Sequence, residues 1–478
     1  MRRIILLLCC SIALLAQAQA PKKKPGPAQP ASPKPGPAQT KAINAPAPAA
    51  DIKNKVLPYT IHQKKMANGL NVVTIPFESP GVAAFYIVVR VGSRDEIEPG
   101  KTGFAHFFEH MMFRGTKKYP KEAYSEALKM TGASANANTS LDRTVYHMTG
   151  DASKLEKMFE LEADRFMNLS YSEQDFRTEA GAVKGEYTKN SSSPYTRLNE
   201  KLQETAFDQH TYKHTTMGFL KDIVDMPNQF AYSRQFFQRY YRPEYTTILV
   251  VGDVTPAGVE ALSQRYFGTW QRGTHVNKIP SEPAQKGTRY AHIQKSGFPP
   301  YLSLNFRGPG YSDSQKDVAA LNILGSALFG ENSPLYEKLV INEQKCREID
   351  GGIFPTRDPF LFSADASLVN AADMKYVQEQ INLALAGAKE APMDPARIDQ
   401  ARQNIRNSFA MRIDNPTSIA EAVSNFIWLT GDPESINRYY DQYEQVTPYD
   451  VQRVAQQYCV SEQCTIGTIS PSEKSDLQ

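Results

Sequence analysis

A near-repeat constrains the fold of this chain more than any other feature. The stretch YYRPEYTTILVVGDVTP at residues 240–256 returns as YCVSEQCTIGTISP at 458–471. Each copy runs from a helix end through a turn into a strand, then Gly, then Thr or Ser before Pro. Gly252 and Gly467 stand 215 residues apart, which predicts two related domains, as a length of 478 residues also favours. The Pro- and Gly-containing stretch WQRGTHVNKIPSEPAQKG at 270–287 is the natural connection. GLNVVTIPF and VAAFYIVVRVGS read as strands, whereas KLEKMFELEADRFMNL and EQDFRTEAGAVKGEY read as amphipathic helices. The expected class is α+β, with a first domain at 56–272, a linker at 273–288 and a second domain at 289–478.

The N-terminus has a different character. Arg2 and Arg3 precede the apolar run IILLLCCSIALLA and the small residues AQAQA, the pattern of a secretory signal peptide ending at Ala18. The run is too short for a confident membrane span, so no integral span is expected after cleavage. Residues 19–55 are rich in Pro, Ala and Lys, repeat KPGPAQ, and read as a solvated tether. A net charge of +3 over this length gives no reason to expect nucleic acid as a partner. Cys9 and Cys10 would leave with the signal, and Cys459 and Cys464 are close enough to pair in an exported chain.

The chemistry gathers in GFAHFFEHMMFRGT at 103–116, which has helical spacing from Gly103 to Phe113 and in which His106, Glu109 and His110 interrupt one of the most apolar runs of the chain. Unpartnered burial of such groups costs on the order of 1–3 kcal/mol each. On a helix the three share a face, and two His at i, i+4 have zinc-ligand spacing, with a carboxylate placed to act as a base. Applying the 215-residue offset puts Leu321 opposite His106, in an apolar segment without His or acid, so only the first domain carries the cluster. A catalytic zinc needs a third protein ligand. Phe176, Glu179, Val183 and Glu186 form one stripe, which marks Glu179 and Glu186, whereas Glu162 and Glu173 are expected to be ordinary exposed glutamates.

At this point the sequence resembles the inverted-motif zinc peptidases of the pitrilysin, or M16, family. NGLNVV, VGSRDE, GFAHFFEHMMFRGT, SANANTSLDRTVYH, EAGAVKGE and ILVVGD look like family landmarks in the family's order. The resemblance implies two homologous α/β-sandwich domains and a zinc endopeptidase acting on peptides or small unfolded proteins. His106, His110 and Glu186 would be zinc ligands, Glu109 the general base, and Glu179 an acid that orients a histidine ligand. ASANANTS and TVYHMTG read independently as two strands around a polar turn; the resemblance makes the first an edge strand on which substrate pairs, with Asn136 and Ala137 as contacts.

One departure stands out. Many two-domain members carry an Arg and a Tyr in the second domain, whereas here Pro334 takes the Arg position and the Tyr position falls near Glu348 or Asp350. The expectation is a heterodimer whose homologous partner supplies that pair, with a homodimer, or a substitute such as Arg347, as alternatives. A non-catalytic assembly subunit is the competing reading, against which the intact set of four residues argues. The apolar leader does not resemble an Arg- and Ser-rich mitochondrial transit peptide and points to a bacterial periplasm, or to secretion.

Overall fold

β-branched and aromatic runs supply the strands, and the computed structural model describes residues 55–475 and 477. The signal-peptide and tether assignments therefore lie outside the described residues, apart from Lys55. In the first half, β1 (His62–Lys65), β2 (Asn71–Pro76), β3 (Val82–Val89), β4 (Ser134–Thr139), β5 (Thr144–Asp151) and β6 (Thr246–Gly252) form a sheet in the order β1-β2-β6-β3-β5-β4. In the second, β7 (Arg289–Gln294), β8 (Tyr301–Arg307), β9 (Cys346–Ile353), β10 (Leu361–Leu368) and β11 (Cys464–Ser470) give β7-β11-β8-β10-β9. β2 runs parallel to β6 and β7 to β11, and every other pair is antiparallel. With β1 set aside, the two sheets have the same order and the same directions. Residues 270–288 hold neither helix nor strand.

The repeat is real, but its register differs from the 215-residue spacing. Thr246 pairs with Val89, and Cys464 pairs with Phe306. Arg307, just beyond β8's Phe306, therefore answers Arg90. Gly252 and Gly467 are not counterparts, because each glycine serves a separate end. Gly252 closes its strand at φ +133°, where a Cβ would meet the Val82 carbonyl at 2.3 Å. Gly467 lies mid-strand, where a Cβ would come within 2.8 Å of Leu202.

Six helices build the site and close the two sheets: α1 (Phe104–Met111), α2 (Leu155–Asn168), α3 (Glu173–Asn190), α4 (Pro194–Ala206), α5 (Asp317–Phe329) and α6 (Pro416–Thr430). One face of the first sheet, with Phe85, Ile87 and Val250, packs on Phe104, Phe107 and Phe108 of α1 and on α2 and α3. Its other face, with Tyr86, Val88 and Leu249, is buried beneath Ile419, Val423 and Ile427 of α6, which belongs to the second half of the chain. The second sheet repeats the arrangement in reverse. Its inner face packs on α5, and its outer face is covered by Leu198 and Leu202 of α4, from the first half. Each half thus supplies the helix that closes the other's sheet, which is why VAAFYIVV is apolar on both faces.

Arginines fasten both exchanged helices. Arg90 donates from Nε to the Trp428 carbonyl at 3.0 Å and from Nη2 to the Leu429 carbonyl at 3.2 Å, at the end of α6. Arg307 donates to the Ala206 carbonyl at 2.6 Å, at the end of α4. Cations placed there satisfy the orphan carbonyls and complement the helix dipole.

Two expectations are corrected. Cys459 and Cys464 are free and buried, as is Cys346; Cys459 follows a helix end and Cys464 opens β11, each enclosed in the core, and burial pushes all three thiols up to about 12. Glu162 is not exposed but 1% accessible, because its carboxylate pairs at 2.6 Å with the equally buried Arg165. Glu173 is an exposed residue at the start of α3, paired with Arg177.

The exchange predicts that neither half folds alone. A chain ending at residue 272 is expected to aggregate or to bind a hydrophobic dye, while the two halves expressed together as separate chains elute as one particle on size exclusion.

Candidate metal centre

α1 carries Phe104, Phe107, Phe108 and Met111 into the core and gathers His106, Glu109 and His110 on one face, of which only His110 is partly open. The helical spacing suggested an element to Phe113; the α-helix stops at Met111, and a tighter turn, Met112–Arg114, leads into Gly115. Its start is set by Glu96, from the VGSRDE stretch. The Glu96 carboxylate accepts from the backbone N–H of Gly103 at 2.7 Å and of Ala105 at 2.6 Å, supplying two of the partners that a helix N-terminus lacks. Burial pushes Glu96 up to about 8, against the pull of these two N–H groups. Gly103 sits at φ +91° with the Ile223 side chain 2.4 Å from where a Cβ would be, so no larger residue fits that corner.

His106 and His110, one turn apart on α1, meet Glu186 from the last turn of α3. The Glu186 carboxylate lies 3.7 Å from His106 Nε2 and 3.2 Å from His110 Nε2, and one donor atom from each of the three falls within 4.8 Å of the others. A tetrahedral zinc with ligands about 2.1 Å away separates them by roughly 3.4 Å, so the two observed spacings bracket the metal geometry. His106 is buried, whereas His110 and Glu186 are partly open, which leaves the cluster approachable from one side.

Around these three lies a supporting layer. Glu179 Oε1 is 3.0 Å from His110 Nδ1, and its other oxygen accepts from Arg114. With Nδ1 held, the His110 Nε2 lone pair is directed at the cluster. His106 Nδ1 has no hydrogen-bond partner among the described residues and is positioned by packing. Glu109 is buried at 5% accessibility on the same helix, near enough to act electrostatically on both imidazoles. Burial holds His106 below its ordinary range. For His110 burial works the same way, but hydrogen bonds to Glu179 and Glu186 overcome it and push the group up to about 10. Glu179 and Glu186 stay below the usual carboxylate range: burial works against this, and His110 with Arg114, and the two histidines respectively, outweigh it. The carboxylates of Glu179 and Glu186 stand beside the two imidazoles, and Arg114 pairs with the first of them. That donor set suits a divalent cation.

Asn136 and Ala137 lie on β4, which α1 packs against and which forms one edge of the first sheet. Asn136 is exposed opposite His147 in the register, and Ala137 faces the core opposite Tyr146. In the second half, Pro334 starts a short helical turn, while Arg347, Glu348 and Asp350 are exposed on the edge strand β9. Sequence reasoning passed over Arg114 and Glu96. Arg114 was readable as the residue four beyond His110; Glu96 was not, since its contact with α1 depends on the path of the intervening loop.

Comparisons with known proteins give the family. The family profile described as Insulinase (Peptidase family M16) matches residues 72–219, and the one described as Peptidase M16 inactive domain matches 231–405. The chain belongs to peptidase family M16. It is 28% identical over 414 residues to the zinc protease PqqE of Helicobacter pylori, covering 85% of this chain and 92% of the relative. It is 24% identical over 448 residues to the uncharacterized zinc protease YmfH of Bacillus subtilis, covering 88% and 99%. The crystal structure of a protease from Helicobacter pylori superposes with a TM-score of 0.79 at 27% identity, covering 86% of this chain and all of that one. The periplasmic protease PqqL of Escherichia coli superposes at 0.71 with 18% identity, covering 86% of this chain and 48% of its own; that likeness is one of fold.

The helix cap is open to a direct test. Glu96→Ala leaves two buried N–H groups without their acceptor and is expected to cost about 1–3 kcal/mol, read as a lower midpoint in denaturant with an unchanged slope.

Proposed function

We propose that the chain is an exported zinc endopeptidase hydrolysing peptides or small unfolded proteins, and that its two domains run over 56–272 and 289–478. The observation that carries this reading is the convergence of His106 and His110, on the helix that also carries Glu109, with Glu186 from α3, one donor atom of each lying within 4.8 Å of the others. These three would hold zinc. When bound, zinc polarises the scissile carbonyl and lowers the pKa of water. Glu109 takes the proton of the attacking water on a carboxylate oxygen and passes it to the leaving amine. Glu179 keeps the His110 ring in its tautomer and orientation. The open edge of β4, with Asn136 and Ala137, receives the substrate backbone in extended form by strand addition, and this places a peptide bond against α1.

The zinc assignment rests on the donor set and on the likeness to the zinc proteases PqqE and YmfH. A periplasmic location is supported by the apolar leader and by the likeness of fold to the periplasmic protease PqqL. Among the described residues no helix is long and apolar enough to cross a membrane. Pro334 in place of the family arginine favours a homologous partner subunit as the source of the missing pair; a homodimer is the alternative. A second reading, an assembly subunit without turnover, has that same replacement in its favour.

Zinc-loaded protein is expected to cut an unstructured peptide of a few tens of residues. Glu109→Gln should keep the metal and lose about 10²–10⁴-fold in kcat; metal retention without activity in both proteins favours the assembly reading. Glu179→Gln should weaken zinc binding by about 10–100-fold in chelator competition, and an unchanged affinity would remove the orienting role. Recovery of this chain alone from an active native fraction would exclude the heterodimer.

A further inference from the structure

The three cluster residues do not come from one rigid element. His106 and His110 sit on α1, which the first half anchors through Glu96. Glu186 sits at the far end of α3, one turn before the chain bends at 191–193 into α4. That bend is stiff. Ser191 N–H donates to the Tyr187 carbonyl at 2.8 Å, Ser193 N–H donates to the Asn190 carbonyl at 3.1 Å, and Pro194 opens α4. The Tyr187 hydroxyl, next in sequence to Glu186, donates to the Glu200 carboxylate at 2.7 Å and so ties the last turn of α3 to the middle of α4.

α4 is held by the other half of the molecule. Leu198 and Leu202 lie against Ala291, Ile293 and Ile469, in the space left by Gly467. Tyr195 stacks edge-on to Phe298 and Tyr301 at ring separations of 4.9 Å. At the far end, Arg307 Nη2 donates to the Ala206 carbonyl at 2.6 Å and Arg289 Nη1 to the Thr205 carbonyl at 2.9 Å. Glu282, from the connecting segment, accepts from the backbone N–H of Asp208, Gln209 and His210 at 2.7–2.9 Å. Arg307 also lies over Phe207, 4.0 Å from the ring centroid.

We propose that the second half positions the third metal ligand: the Arg307 clamp on α4 fixes the placement of Glu186 against the two histidines. Arg307 is a positioning residue, acting through α4, the Tyr187–Glu200 bond and the last turn of α3. The inference rests on the zinc reading above. Metal–ligand distances are held to within about 0.2 Å of their standard values, so a shift of Glu186 passed along the 13-residue helix would change affinity. The half that shows no metal cluster among its described residues thereby contributes to the site. The mirror clamp, Arg90 on α6, fastens the other exchanged helix, which does not lead to Glu186.

The test is zinc affinity by chelator competition on the full chain, together with the visible spectrum of the cobalt-substituted protein. Arg307→Met is expected to weaken zinc binding roughly 10-fold, by analogy with the loss of outer partners at other metal sites, and to alter the cobalt spectrum. Arg307→Lys should restore part of the loss. Arg90→Met should lower thermal stability with no change in affinity. In a Glu186→Gln background Arg307→Met should have no further effect on zinc. If Arg307→Met does not fold, Arg289→Gln carries the same expectation at smaller amplitude. Wild-type affinity in both Arg307→Met and Arg289→Gln, or an equal loss from Arg307→Met in the Glu186→Gln background, overturns the proposal alone. A wild-type protein that binds no zinc overturns the metal reading with it.

Discussion

The exchange of α4 and α6 between the two sheets is the constraint on which the rest of the structure depends. A sheet apolar on both faces needs cover on both, and each half provides only one layer of its own. The missing layer comes from the partner half in each case, and the buried residues of the first sheet's outer face and of the second half's helices form one continuous core. Hydrophobic burial is not directional, but the arginines at the ends of β3 and β8 are. Arg90 and Arg307 each reach the last carbonyls of the borrowed helix and fix where along its sheet it ends. A common pattern of packing and capping thus recurs twice, in different residues.

That architecture explains how charged groups come to be held inside an apolar domain. α1 enters the first core between sheet and helices, with its phenylalanines and Met111 packed there and its two histidines meeting Glu186 of α3. Near its far end the same core holds a second charged group, Arg165, paired with Glu162 and lying 4.7 Å from the Phe113 ring and 4.8 Å from that of Tyr146. Aromatic faces and one carboxylate compensate that guanidinium. At the cluster itself the compensation runs the other way, with carboxylates beside the two imidazoles.

Much of the site was legible in the chain. The spacing of His106, Glu109 and His110 and the stripe of Glu179 and Glu186 are local helical patterns, and local patterns survive folding. Glu162 was misread because its neighbours say nothing of Arg165's burial, which is decided by four aromatic rings from different elements. The pairing of Cys459 with Cys464 was suggested by proximity in sequence, whereas each thiol is enclosed in the core without a bond. The repeat was visible, but its register was not: two glycines that align in sequence serve a strand end in one half and a leucine's pocket in the other.

The sequence by itself determined the periodicity that makes α1 and α3 helices, the residue types able to hold a divalent ion, the alternation of strands that makes two sheets, and the family they belong to. These follow from spacing along the backbone, which is fixed before any distant contact forms. Only the tertiary structure decided that α3 brings Glu186 to within 3.2 Å of His110, that Glu96 closes the start of α1, and that the second half grips α4. Each of these joins groups separated by loops or by an entire domain, and what aligns them is the simultaneous burial of two sheets, a property of the whole chain that no window of it contains.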